Sequence, residues 1–202
     1  MIRFGVLALV FAALYAVLGA AVSHAPPSGI DVAGHALLGG PPHLALLFTE
    51  SCYWYVLVAL GIAGIIVAIR APAWRERIVT SLVTTVVFWQ ISDALKNVFH
   101  RPRPGYWRII HEPTFAYSSG HAMFATIVYG LWAYFIWNST LPRAVRLTVA
   151  PLLALWACAI LWSRLSLGAH WVTDLAGGVL LGLTALSIGA AVRAGRRARL
   201  VP

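Results

Sequence analysis

The sequence predicts an all-α fold, a polytopic membrane helix bundle with about six transmembrane helices. Three observations predict it. Of 202 residues, 60% are hydrophobic and only 10% charged, whereas soluble domains run to about half apolar and about a quarter charged. Mean hydropathy is +0.81. Apolar runs of roughly twenty residues, the length a helix needs to cross hydrocarbon, recur along the chain.

Those runs lie at 2–22, 44–69, 78–99, 121–140, 145–165 and 172–192. They consume most of the chain, so residues 1–202 are expected to form one integral membrane domain. The first run follows Arg3 and precedes "SHA" and Pro26-Pro27, which has the outline of a cleavable signal peptide. Its apolar stretch from Phe4 to Val22 is long for that, and a retained first helix is the expectation. Residues 23–43 carry Pro26, Pro27, Pro41 and Pro42 and are expected to form a turn-rich loop. Within it "IDVAGHALLGG" suits an amphipathic turn or two on the membrane surface. Residues 70–77 and the "STLPRAVR" turn read as short connections at the other face. The loop 100–119 has too many prolines for a continuous helix.

A formal charge of +9 raises the possibility of a nucleic-acid partner. Topology explains most of it instead, because basic residues flank membrane helices on the cytoplasmic side. With the amino terminus inside, Arg3, Arg70, Arg75, Arg77, Arg143, Arg146, Arg193, Arg196, Arg197 and Arg199 are cytoplasmic. Lys96, Arg101, Arg103, Arg108 and Arg164 then face outside and need another reason. Cys52 and Cys158 fall within predicted spans, with no metal-ligand spacing, and read as small packing residues. Trp107, Trp162 and Trp171 mark the outer boundary, Trp74 and Trp137 the inner one.

Three segments on the same predicted face hold the unexplained polarity: "KNVFHRPRP" from Lys96, "SSGH" from Ser118, and "SRLSLGAHWVTD" from Ser163 to Asp174. His170 and Asp174 lie four residues apart, on one helical face, where a carboxylate can fix the imidazole tautomer of a nucleophile or base. Alone, that pair is more often a helix cap. Ser119 and Gly120 suit a helix start whose free amides favour an anion, and His121 could donate a proton there. Lys96, Arg103 and Arg164 could surround a tetrahedral dianion, or merely touch lipid headgroups. Asp93, with Gln90, extends the polar stripe and suits a salt bridge to Lys96 or Arg164, and Glu50 is expected near the outer end of the second helix, where it could help orient His121 or the substrate.

Taken together, K-x-x-x-x-x-x-R-P, S-G-H and S-R-x-x-x-x-x-H-x-x-x-D resemble the three-part signature of the type-2 phosphatidic acid phosphatase superfamily. Lys96, Arg103 and Pro104 match the first part, Ser119, Gly120 and His121 the second, and Ser163, Arg164, His170 and Asp174 the third. The resemblance covers about 78–192, and the small bacterial members with six helices are most similar in plan. Ser118 departs from the proline usual before Ser-Gly-His, and spacing selects Arg103 over Arg101, leaving Arg101 and Arg108 as headgroup contacts at best.

The resemblance implies roles. His170 would be the nucleophile, Asp174 its orienting partner and His121 the acid for the leaving oxygen. Lys96, Arg103, Arg164, Ser119 and Gly120 would bind the phosphoryl oxygens, with no metal or other cofactor. It implies a lipid phosphate phosphatase of a bacterial plasma membrane, its site facing outward and its partner a lipid phosphate in the bilayer. Undecaprenyl diphosphate is the leading substrate, and phosphatidylglycerophosphate, phosphatidate and lipid A phosphate compete with it. A phosphotransferase with a second lipid acceptor is the nearest alternative, and a lipid transporter the rival of a different class. Transport sites favour mid-bilayer breaks, whereas this polarity gathers at one boundary.

Overall fold

A computed structural model of the chain describes residues 2–105 and 112–200. Among these residues all regular structure is helical. α1 (Ile2–Ser23), α5 (Pro72–Phe99), α8 (Arg143–Ser166) and α9 (Val172–Leu200) are each long and apolar enough to cross a membrane. α3 (Pro42–Glu50) and α4 (Trp54–Arg70) form a fifth candidate, bent by 42° at the break between them. The remaining expected span is divided: α6 (Gly120–Phe124), a π-helical stretch (Ala125–Gly130) and α7 (Leu131–Trp137) follow without a gap. Among the described residues four helices, or five with the bent pair, are thus long and apolar enough to span, and the divided stretch 120–137 occupies the sixth expected position. Apolar side chains that protrude from α1, α4 and α8, such as Leu9, Ile66 and Leu155, fit a chain embedded in lipid.

Two connections differ from expectation. The expected loop at 70–77 shrinks to Ala71, because Pro72 sits in the first turn of α5, where its missing N–H costs nothing. The surface turn in 23–43 is a full helix, α2 (Gly29–Leu38). Ser28 and Asp31 close a reciprocal capping box at its start, enough to set a helix in a proline-bounded loop.

Packing places α1 and α6 along α9, α3 and α7 along α8, and α4 along α5. Where lipid surrounds a bundle, helices approach through small residues. α9 supplies three. Gly177 lies under the Tyr117 ring, Gly178 under the Ser119 carbonyl and Ala122, and Gly182 under Thr126. Tyr117 in turn donates from its hydroxyl to the Tyr15 carbonyl of α1 at 2.6 Å and packs edge-on to Phe99. One ring thus ties α1, α5 and α9 together beside the loop that leads into α6.

A β-carbon on Gly178 would stand 2.4 Å from the Ser119 carbonyl oxygen, which is backbone and cannot swing aside. Gly178→Ala should therefore cost roughly 1–3 kcal/mol. A thermal-unfolding midpoint in detergent equal to wild type would refute this packing argument.

Candidate active site

Three local devices deliver the signature residues to one end of the bundle. α5 ends at Phe99 because His100 adopts a left-handed conformation, φ 51°, and Pro102 and Pro104 deny any further helix. Lys96 is left in the last turn while Arg101 and Arg103 turn back over the helix end. α8 ends in a Schellman motif: Gly168 (φ 65°) donates to the Leu165 carbonyl and Ala169 to that of Arg164, both at 2.9 Å. The reversal lays His170 back beside the region of Arg164. At the start of α9 the Asp174 carboxylate accepts the Trp171 amide at 2.8 Å. At the start of α6 the Ser119 hydroxyl accepts the Ala122 amide at 3.4 Å, and the Ser119 amide donates to the Asp174 carbonyl at 3.1 Å.

The imidazole of His170 is 2% exposed and held from both sides. Arg103 Nη1 lies 3.1 Å from Nε2, and Asp174 Oδ2 lies 3.4 Å from Nδ1, within ion-pair reach. A guanidinium can only donate, so Nε2 keeps its lone pair and the ring proton resides on Nδ1, toward the carboxylate. Burial first, then the charges of Arg103, Arg164 and Lys96, hold the imidazole well below the usual histidine range. The ring stays neutral, with its Nε2 lone pair held toward Arg103.

Two of those cations share one carboxylate. Glu112 bridges Arg103 Nη2, at 2.8 Å, and Arg164 Nη2. Arg103 also donates from Nε to the Thr114 carbonyl at 2.7 Å and from Nη1 to that of Ala169 at 2.9 Å. Arg164 is 1% exposed and donates to Thr49 Oγ1 at 2.6 Å. Lys96 Nζ reaches Thr114 Oγ1 at 3.4 Å and Asp93 at 4.0 Å. A cavity of about 240 Å³ opens here between Tyr53, Trp89, Lys96, Glu112, Gly120 and His121. His121 Nε2 is buried without a hydrogen-bond partner, and its ring stands edge-on to Tyr53 at 5.2 Å. Lys96, Arg103 and Arg164 stand against Glu112 and the loosely held Asp93, so positive charge is in excess around this space. That excess suits a phosphoryl anion.

Every expected site residue therefore lies at this end of the bundle. Lys96, Arg103, Arg164, His170 and Asp174 are joined by direct or shared contacts, and Ser119 is tied to Asp174. Gly120 and His121 line the cavity. Three features went unread in the sequence. Glu112 sits at the centre of the cations. Arg101 is not a headgroup contact: it is 2% exposed and donates to Asp174 Oδ1 at 2.5 Å. Asp31, from α2, completes that network. Scarcity was the usable signal: with only six acidic residues, each implied a cationic partner. The Asp93–Lys96 pair forms loosely, and Glu50 makes no hydrogen bond or ion pair to His121 among the described residues. Trp107, Arg108 and His111 lie outside the described residues.

A family model described as the PAP2 superfamily matches residues 52–197, the stretch that carries all three segments. The chain belongs to the PAP2 superfamily. Phosphatidylglycerophosphatase B of Bacillus subtilis is 37% identical over 95 residues, 46% of each chain. Its Escherichia coli namesake is 45% identical over 64 residues, 32% of this chain and 23% of the relative. The chain thus spans less than half the length of these two relatives. The putative undecaprenyl-diphosphatase YbjG of Escherichia coli is 25% identical over 151 residues, 66% of this chain and 71% of the relative. Among solved structures, a transmembrane PAP2 type phosphatidylglycerolphosphate phosphatase from Bacillus subtilis superposes with a TM-score of 0.77. That superposition covers 93% of this chain and 96% of the other at 24% identity, and it establishes the shared fold. With its apolar helices, this likeness marks an integral membrane protein.

Burial raises the Glu112 carboxyl pKa, but Arg164 and Arg103 outweigh it and bring it from the ordinary 4.5 to about 2. A depressed carboxylate contributes stability that is complete above 4.5 and lost as pH falls through the folded value. The gap in unfolding free energy between wild type and Glu112→Gln should be roughly 3 kcal/mol at pH 7. It should narrow as pH drops below 4.5. A gap that is constant from pH 7 to pH 3 would contradict the ion-pair account.

Proposed function

We propose that this PAP2 protein is a membrane lipid phosphatase working through a phosphohistidine, with residues 1–202 as one catalytic unit and the site on the extracytoplasmic face. The observation that carries the reading is the neutral His170 Nε2, 3.1 Å from Arg103, whose guanidinium shares Glu112 with Arg164 beside a cavity lined by Lys96, Gly120 and His121. Nε2 attacks phosphorus, the bond to the leaving oxygen breaks, and His121 supplies that oxygen's proton. Water then attacks the phosphohistidine, gives its proton to His121 and releases inorganic phosphate. Lys96, Arg103, Arg164, Ser119 and the Gly120 amide hold the phosphoryl oxygens, a fixed electrostatic stabilisation of the transferring group. Asp174 steadies the positive charge that the ring acquires. Glu112 must yield its place on the two guanidiniums, or share them, when the phosphate enters.

The leading substrate is undecaprenyl diphosphate, which the coverage of the putative undecaprenyl-diphosphatase relative supports. Phosphatidylglycerophosphate is the second reading, favoured by the two phosphatidylglycerophosphatase B matches. The outward orientation rests on the ten arginines assigned to the cytoplasmic side, against a site-bearing face with none in its loop at 23–43.

His170→Ala should lower phosphate release by several orders of magnitude while the thermal midpoint stays within a few degrees of wild type. Measured across undecaprenyl diphosphate, phosphatidylglycerophosphate, phosphatidate and lipid A phosphate, the highest wild-type kcat/KM identifies the substrate. Strict dependence on a second lipid acceptor would replace hydrolysis by phosphotransfer. Because the His170 pKa is depressed, the protonation that silences the nucleophile comes only below the ordinary histidine range, and the acid limb of kcat/KM should lie below about pH 6.5.

A further inference from the structure

We propose that Asp31, on the helix in the first long loop, is a positioning residue for phosphoryl transfer, acting through Arg101 to keep Asp174 an effective anion behind His170. The inference rests on the histidine-nucleophile reading and extends it to an element that none of the signature segments contains.

Asp31 is 1% exposed and addressed from three places. Its own helix start uses Oδ2, which accepts from the Ser28 amide at 3.2 Å and hydroxyl at 3.0 Å. Arg101 Nη2 donates to the same oxygen at 2.9 Å. Oδ1 accepts the Thr173 amide at 3.0 Å and the Thr173 hydroxyl at 2.8 Å. A plain cap needs only the Ser28 contacts; the other three donors come from the loop after α5 and the first turn of α9. The helix that carries Asp31 is seated closely against the start of α9, since a β-carbon on Gly34 would meet Val172 Cγ2, and the segment after it is seated on α8, where one on Gly40 would meet the Trp162 ring at 2.5 Å.

Arg101 stands between two carboxylates. Nη1 donates to Asp174 Oδ1 at 2.5 Å and to Thr173 Oγ1 at 2.6 Å, while Nη2 holds Asp31. If Arg101 faced Asp174 alone, one guanidinium would cancel one carboxylate, and His170 would feel little of either. Asp31 changes that sum. Two carboxylates against one guanidinium leave a net negative charge beside an imidazole that becomes cationic as its bond to phosphorus forms. Fixed charge of the right sign, buried where water cannot screen it, favours that step. Asp31 also fixes Arg101 geometrically, so that Oδ1 of Asp174 is occupied and Oδ2 faces His170 and the Trp171 amide.

The test compares full-length wild type, Asp31→Asn and Thr173→Val in detergent, with a short-chain phosphatidate in micelles as probe and His170→Ala as the inactive reference. Asp31→Asn is nearly isosteric but removes the charge. It should lower kcat roughly tenfold per folded molecule while KM stays within about twofold. A mere loop anchor would instead reduce the folded fraction and leave kcat per folded molecule unchanged. Thr173→Val removes a hydroxyl shared by Asp31 and Arg101 without altering any charge, and should lower kcat by about two- to fivefold. It keeps the test decisive if Asp31→Asn fails to fold. Wild-type kcat in every folded variant would overturn the role of Asp31. Hydrolysis surviving in His170→Ala would overturn the nucleophile reading itself, a failure visible without any Asp31 variant.

Discussion

Buried guanidinium groups must be paired, and most of this site follows from that constraint. Removing one partner of a buried ion pair costs about 3–5 kcal/mol, because the remaining charge has nowhere to go. Arg101, Arg103 and Arg164 are all sequestered at one end of an apolar bundle. Asp31, Glu112 and Asp174 answer them. The chain devotes half of its acidic residues to three arginines, and little charge is used elsewhere in the described bundle.

The pairing is uneven in a useful way. Around the cavity, cations exceed carboxylates; behind His170, carboxylates exceed cations. A positive pocket attracts a phosphoryl dianion, and a negative backing stabilises an imidazole that is losing its lone pair. Local chain geometry creates this division. The left-handed His100 and the proline-rich turn after α5 send Arg101 to one side and Arg103 to the other, although only Pro102 separates them. Glu112 is the counterion that Arg103 and Arg164 share, and it holds the loop after α5 against the end of α8. The glycines of α9 let the Ser119–His121 helix start approach closely enough for its backbone to bond Asp174.

Much was legible in the sequence. Hydropathy placed α1 and α8 to within two residues at each end and α9 at its start, because a helix in lipid has to be continuously apolar, whereas the end of α9 runs on to Leu200 through basic residues. Lys96, Arg103, Ser119, Arg164, His170 and Asp174 could be picked out because they match a signature of fixed local spacing. The expected shared helical face of His170 and Asp174 is not what joins them: His170 precedes α9, and the turn after α8 brings it to Asp174. Continuity was harder to read. The break at 51–53 and the π-helical stretch after Phe124 interrupt apolar runs without altering composition.

By itself, then, the sequence determined an all-helical membrane chain, the three polar segments and the identities of the groups in them. Apolar length and local spacing are properties of the chain alone. Tertiary structure decided which charge meets which. Asp31 is 70 residues from Arg101, and Glu112 is 52 from Arg164. No periodicity links positions so far apart; only the seating of α2 on α9 and the return of the loop after α5 bring them within reach. Pairing energy depends on distance and burial, and both exist only once the helices have packed.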